Sequence, residues 1–133
     1  MKREKTIKKE FSILKGLILK EIEVNHAKNE IYFYTNYDRT FKMFHEYECC
    51  ESVEIEDING DLYNLIGNEI VLAEERSNIC ENPEFIKNIP EDQDSSFTWT
   101  FYEIATVKGS ITIRWYGESN GYYSESVDFV EVI

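Results

Sequence analysis

Phe97-Thr98-Trp99-Thr100-Phe101-Tyr102-Glu103-Ile104-Ala105 interleaves bulky apolar side chains with threonine, the composition of a pleated strand. Val107 leads into a Lys108-Gly109 turn, and Ser110-Ile111-Thr112-Ile113-Arg114-Trp115-Tyr116 returns with period two. A Gly117-Glu118-Ser119-Asn120-Gly121 loop follows, then a third run from Tyr122 to Val130. Asn-Gly between two such runs is a strong hairpin signal, because both residues tolerate the backbone of a tight turn. The final third of the chain therefore reads as consecutive antiparallel strands.

Toward the N-terminus the same period recurs. Residues 18–24 alternate, Asn25 to Asn29 turn, Ile31 to Thr35 run extended, Asn36 to Arg39 turn again, and Thr40 to Glu46 return. Such short connections predict a meander. Val53 to Ile58 is the next strand, with Val53 and Ile55 inward and Glu54 and Glu56 on the solvent face. Asp61 to Gly67 predicts one or two helical turns, Asp61 capping the start and Gly67 the end. Glu69 to Glu75 is a further strand. At the start, Ile7, Phe11, Leu14 and Ile18 recur at helical spacing, which predicts a short basic helix broken at Gly16 and packed on a sheet. The expected class is α+β and β-rich: mainly an antiparallel twisted sheet, small sandwich or partial barrel, with one or two short helices.

The 133 residues fit one domain, 1–133, with a flexible start over 1–10 and a long acidic loop over 77–96 that holds both prolines. Charge is the most informative total. The formal net charge is −12, yet the first twenty residues hold seven Lys/Arg against two Glu, which leaves −17 for the remainder. Between Lys42 and Arg76 ten Asp or Glu occur and no basic residue. A surface of this kind repels nucleic acid and anionic membranes and attracts basic proteins. Direct nucleic-acid contact and membrane contact are not expected. No run reaches the ~18 apolar residues of a membrane span. The odd count of three cysteines, Cys49, Cys50 and Cys80, fits free thiols in a cytoplasmic chain better than a disulfide framework.

Two stretches carry a family resemblance. The first runs His45-Glu46-Tyr47-Glu48-Cys49-Cys50-Glu51-Ser52-Val53-Glu54-Ile55-Glu56-Asp57-Ile58-Asn59-Gly60-Asp61-Leu62. The second is Thr98-Trp99-Thr100-Phe101-Tyr102 followed by Ile111-Thr112-Ile113-Arg114-Trp115-Tyr116-Gly117-Glu118-Ser119-Asn120-Gly121-Tyr122-Tyr123-Ser124-Glu125. Together they resemble an uncharacterised family of small proteins, a domain of unknown function met in bacterial and bacteriophage genomes, over roughly residues 15 to 130. The resemblance implies a phage or prophage accessory setting, hence a host cytoplasm, and supplies no catalytic residues.

Candidate chemistry is sparse. His45, Cys49, Cys50 and Glu51 include metal-ligating types, but adjacent cysteines of an extended chain point to opposite faces and do not share one metal. No metal site and no cofactor is expected. A cysteine nucleophile with His45 or His26 as base lacks an oxyanion feature. Phosphate loop, nucleophile elbow and zinc-protease helix are all missing, so catalysis has no motif behind it. Two groups remain as binding candidates. One is the acidic strand region Glu51, Glu54, Glu56 and Asp57. The other is the polar-aromatic cluster Arg114, Tyr116, Glu118, Ser119, Asn120, Tyr122, Tyr123 and Glu125, with Arg114 set to pair with Glu125 or Asp57. The leading expectation is a non-enzymatic acidic protein that binds a basic protein surface, as an inhibitor of a host macromolecule whose carboxylates imitate nucleic-acid phosphates. The alternatives are a small-ligand protein, for a nucleotide-like signal at the second cluster, and an enzyme.

Overall fold

The computed structural model describes residues 5–47, 51–78, 96–119 and 125–133, the side chains of 77, 78 and 96 excepted. Nine strands follow one another: β1 (Thr6–Lys8), β2 (Leu19–Val24), β3 (Glu30–Thr35), β4 (Thr40–Phe44), β5 (Ser52–Asn59), β6 (Leu72–Asn78), β7 (Ser96–Thr106), β8 (Gly109–Ser119) and β9 (Asp128–Val132). Two one-turn 3₁₀ segments, Phe11–Leu14 and Leu62–Leu65, are interspersed. The strands form two antiparallel sheets, ordered β1-β9-β4-β3-β2 and β5-β8-β7-β6. The β-rich, sandwich-like expectation holds. No α-helix occurs among the described residues, so the helical part of the expected class reduces to those two turns.

The meander β2-β3-β4 follows from its turns. Asn25 Oδ1 accepts from the backbone N–H of Asn29 (2.9 Å) and Glu30 (3.0 Å), closing the first. Thr35 Oγ1 donates to the Arg39 carbonyl at 2.8 Å and accepts from two backbone N–H groups, closing the second. Lys28 and Asp38 take the left-handed backbone that such tight reversals require. β7 and β8 form the long hairpin, turning at Val107 and Lys108 with Thr106 opposite Gly109. Asp61 caps the second 3₁₀ turn through Tyr63 N–H (3.0 Å), as its sequence position predicts.

Two local expectations are corrected. The N-terminal helix is instead a strand, β1, paired to β9, followed by the first 3₁₀ turn. Phe11 and Leu14 are three residues apart, which a 3₁₀ turn places on one side as well as an α-helix does, and both are buried. Ile7 belongs to the strand and stays 48% exposed. The Asn120-Gly121 hairpin is overridden too: β9 pairs with β4 and β1 in the opposite sheet, and β8 pairs with β5 and β7. Residues 120 and 121 themselves lie outside the described residues. The reason lies in Phe129, whose ring centroid sits 5.4 Å from Phe11, 6.1 Å from Phe33 and 5.6 Å from Phe41. Burying one aromatic side chain contributes on the order of 2–3 kcal/mol, which outweighs a local turn preference.

One cluster of buried side chains joins the two sheets. Ile31, Phe33, Phe41 and Met43 come from the five-stranded sheet; Val53, Ile55, Tyr102, Ile104, Ile113 and Trp115 come from the other. Trp115 is fully buried and points its indole N–H at Met43 Sδ, 3.0 Å away. β5 and β6 are the outer strands of the four-stranded sheet.

Candidate functional site

Alternation along β5 and β8 sorts the expected site residues onto two faces. Val53 and Ile55 are buried and Glu54 is exposed, as period two requires. A bulge between Ile55 and Asp57 inserts Glu56 as an extra residue, so that Glu56 and Asp57 are both exposed. On β8, Arg114, Tyr116 and Glu118 lie opposite Asp57, Glu54 and Ser52 and share their outward side. The outward face thus gathers Glu54, Glu56, Asp57, Arg114, Tyr116 and Glu118 on adjacent strands.

The register continues this face onto β7. Tyr116 lies opposite Trp99, Arg114 opposite Phe101 and Glu118 opposite Phe97. Ring centroids of Tyr116 lie 5.0 Å from Trp99 and 6.2 Å from Phe97. The Tyr116 hydroxyl donates to Glu118 Oε2 at 3.2 Å. Arg114 Nε lies 2.8 Å from Glu56 Oε1, so its ionic partner is the bulge residue, neither Asp57 nor Glu125 as expected. Farther across, Arg76 stands between Glu74 and Glu103, 3.4 Å from each. Among the described residues Glu54, Asp57 and Glu118 form no ion pair. The face combines an aromatic strip with an excess of carboxylates.

Glu51 and Glu125 part from this group and are buried. Glu125 accepts from Thr98 Oγ1 (2.7 Å) and from Ser119 Oγ (2.5 Å). Both hydroxyls point inward because their strand positions share the parity of Tyr102 and Trp115. Gly117 makes room: a Cβ there would stand 2.9 Å from Glu125 Cβ and 3.0 Å from the Glu125 carbonyl oxygen. Glu51 faces His45, whose Nε2 is 3.8 Å from Glu51 Oε1 while Nδ1 donates to the Ser126 carbonyl at 2.7 Å. These carboxylates hold the end of the core and do not meet solvent.

Asn120, Tyr122 and Tyr123 lie outside the described residues, as do Cys49, Cys50 and Cys80. Arg114 and Trp115 project to opposite sides of the sheet and do not wall one pocket. Thr98 was missed by sequence reasoning, and Trp99, though on the outward parity of β7, is buried. Aromatic residues occupy both parities of β7 (Phe97, Trp99 and Phe101 against Tyr102), so only the register with β8 separates them. No three His, Cys, Asp or Glu side chains among the described residues are grouped to hold a metal ion. No helix among them is long and apolar enough to cross a membrane.

A two-sheet antiparallel β-protein with an acidic, aromatic sheet face is the class that fold and site define. The chain belongs to the DUF7448 family, a domain of unknown function, whose match covers residues 15–129. Neither a curated protein nor a solved structure shows a match to it.

Proposed function

We propose that this is a non-enzymatic binding protein that docks a basic protein surface on the outward face of β5 and β8. One observation carries the reading: Glu54, Glu56, Asp57 and Glu118 stand together on two adjacent strands, and among the described residues Glu56 alone of the four is ion-paired, with Arg114. Alternate residues of a strand are ~6.6 Å apart and neighbouring strands ~4.8 Å, so the carboxylates form a dense anionic lattice on a rigid support. Lysine and arginine of a partner find carboxylates at the rim and the rings of Tyr116 and Phe97 beside them for cation–π contact. The finer reading is that the partner surface is a nucleic-acid-binding cleft, the carboxylates standing in for phosphates. In the phage or prophage setting that the family resemblance implies, such binding inhibits a host macromolecule.

The test is affinity for basic nucleic-acid-binding proteins as a function of salt. Raising ionic strength from about 0.1 M to 1 M shortens the Debye length from about 10 Å to 3 Å, so affinity falls steeply. Charge reversal at Glu54→Lys with Asp57→Lys abolishes binding, and a nucleic-acid competitor displaces the protein from its partner. Binding that ignores both salt and the double reversal refutes the reading.

A further inference from the structure

At the opposite edge of the four-stranded sheet a cleft of about 840 Å³ opens between β6, the Lys8–Ser12 segment and the start of β9. Its volume falls within the ~300–1,000 Å³ usual for small-molecule sites. The floor is apolar, with Phe11, Ala73, Val127 and Phe129. The walls carry both signs of charge: Lys8, Lys9 and Arg76 against Glu10, Glu74, Glu75 and Asp128.

These charges are not all committed elsewhere. Arg76 is engaged by Glu74 and Glu103, and Lys9 reaches Glu131 at 4.0 Å. Asp128 Oδ2 accepts from the Glu46 N–H at 3.0 Å, which leaves its other oxygen. Lys8, Glu10 and Glu75 form no ion pair among the described residues. Directly behind the wall lies Tyr102, whose side chain is fully buried and whose hydroxyl faces the Glu75 carboxylate. Its neighbours Phe11, at 4.9 Å between ring centroids, Glu75 and Asp128 all line the cleft. Burial first, then the charge of Glu75 and the hydrogen bond to it, and last the charge of Asp128 push the Tyr102 hydroxyl well above its ordinary pKa, so it stays a neutral donor.

A purely anionic ligand here meets four carboxylates, and a purely cationic one meets three cations. A ligand with one charge of each sign satisfies both walls. We infer that the cleft binds a zwitterionic short peptide, with its ammonium held by Glu75 and Asp128, its carboxylate by Lys8 and Lys9, and an apolar side chain on Phe11 and Phe129. A free amino acid shares this chemistry but fills little of the volume. The inference is independent of the acidic face, since β5 and β6 are the two outer strands of the sheet.

The experiment is calorimetric titration of the full chain with the dipeptide Ala-Phe, its N-acetyl and C-amide forms, and inorganic phosphate. Ala-Phe binds, and each blocked form binds roughly tenfold or more weakly, the loss of one charge-assisted hydrogen bond. Glu75→Gln weakens Ala-Phe but not the N-acetyl form; Lys8→Gln weakens Ala-Phe but not the amide. Both side chains are exposed, so these variants fold. Absence of Ala-Phe binding overturns the inference. So do blocked forms that bind as well as the parent, or phosphate that binds as tightly as the dipeptide.

Discussion

Gly117→Ala tests whether Glu125 is wedged onto the inner face of β8. A Cβ at position 117 meets Glu125 Cβ at 2.9 Å, the Glu125 carbonyl oxygen at 3.0 Å and Val53 Cγ2 at 3.2 Å. Two of these atoms belong to a backbone segment and its first side-chain carbon, so relief requires moving the chain at 125. That movement lengthens the bonds Glu125 accepts from Thr98 and Ser119, now 2.7 and 2.5 Å. Overpacking costs about 1–3 kcal/mol, and weakening one hydrogen bond to a charged acceptor adds about 1–2 kcal/mol. The expected loss is therefore about 3 kcal/mol. In urea unfolding, with a slope of about 2 kcal/mol per molar, the midpoint falls by about 1.5 M. In a thermal scan the midpoint falls by about 10 °C. Ser110→Ala, on the exposed side of the same strand, is the control and stays within about 0.5 kcal/mol. A Gly117→Ala variant as stable as that control refutes the wedge.

Acid stability has a locatable contributor in the pair Arg39–Glu131, bidentate at 2.9 and 3.0 Å. The Arg39 guanidinium holds the Glu131 carboxyl below its ordinary range, so the pair stabilises fully above the unfolded carboxylate pKa and is lost as pH falls through the lower folded value. Because Arg39 is 36% exposed, the contribution is at most about 1 kcal/mol. Stability of wild type minus Glu131→Gln, followed by urea unfolding, is positive near neutrality and shrinks toward zero below about pH 4; a difference independent of pH refutes it. Tyr102→Phe removes the buried hydroxyl beside Glu75 and lowers stability by about 0.5–1.5 kcal/mol in the same unfolding assay, whereas no loss shows that the hydroxyl makes no stabilising hydrogen bond to Glu75.

Period and turn chemistry are local properties, and what depends on them was legible. The meander β2-β3-β4, the β7-β8 hairpin and the inward placement of Val53 and Ile55 all follow from alternation and from Asn25, Thr35 and the Val107-Lys108-Gly109 reversal. Sheet membership was not legible. Phe129 chooses the sheet that carries Phe33 and Phe41, contacts across roughly ninety residues that no local pattern encodes. The site divides for the same reason. Glu118 and Glu125 read alike in a polar-aromatic stretch, yet one stands outward opposite Phe97 and the other fills the space above Gly117. The bulge at Glu56 likewise turned the Arg114 ion pair away from Asp57, its register partner, by one residue.

This division fixes what charge can do here. Of the carboxylates expected to bind, Glu51 and Glu125 are buried against His45, Thr98 and Ser119 inside the molecule, and so offer no oxygen for direct contact with a partner. Glu54 and Asp57 are exposed and hold no described partner, so their removal costs the fold little but weakens the field of the face. Neutralising each kind separates binding from folding. Glu125→Gln lowers stability by about 1–2 kcal/mol, since one charged acceptor becomes a neutral amide, and leaves the salt dependence of partner binding unchanged. Glu54→Gln with Asp57→Asn keeps stability within about 0.5 kcal/mol and flattens the salt dependence. The reverse pattern, with Glu125 governing salt dependence and Glu54 governing stability, would place the interaction surface at the end of the core and not on the outward face of β5 and β8.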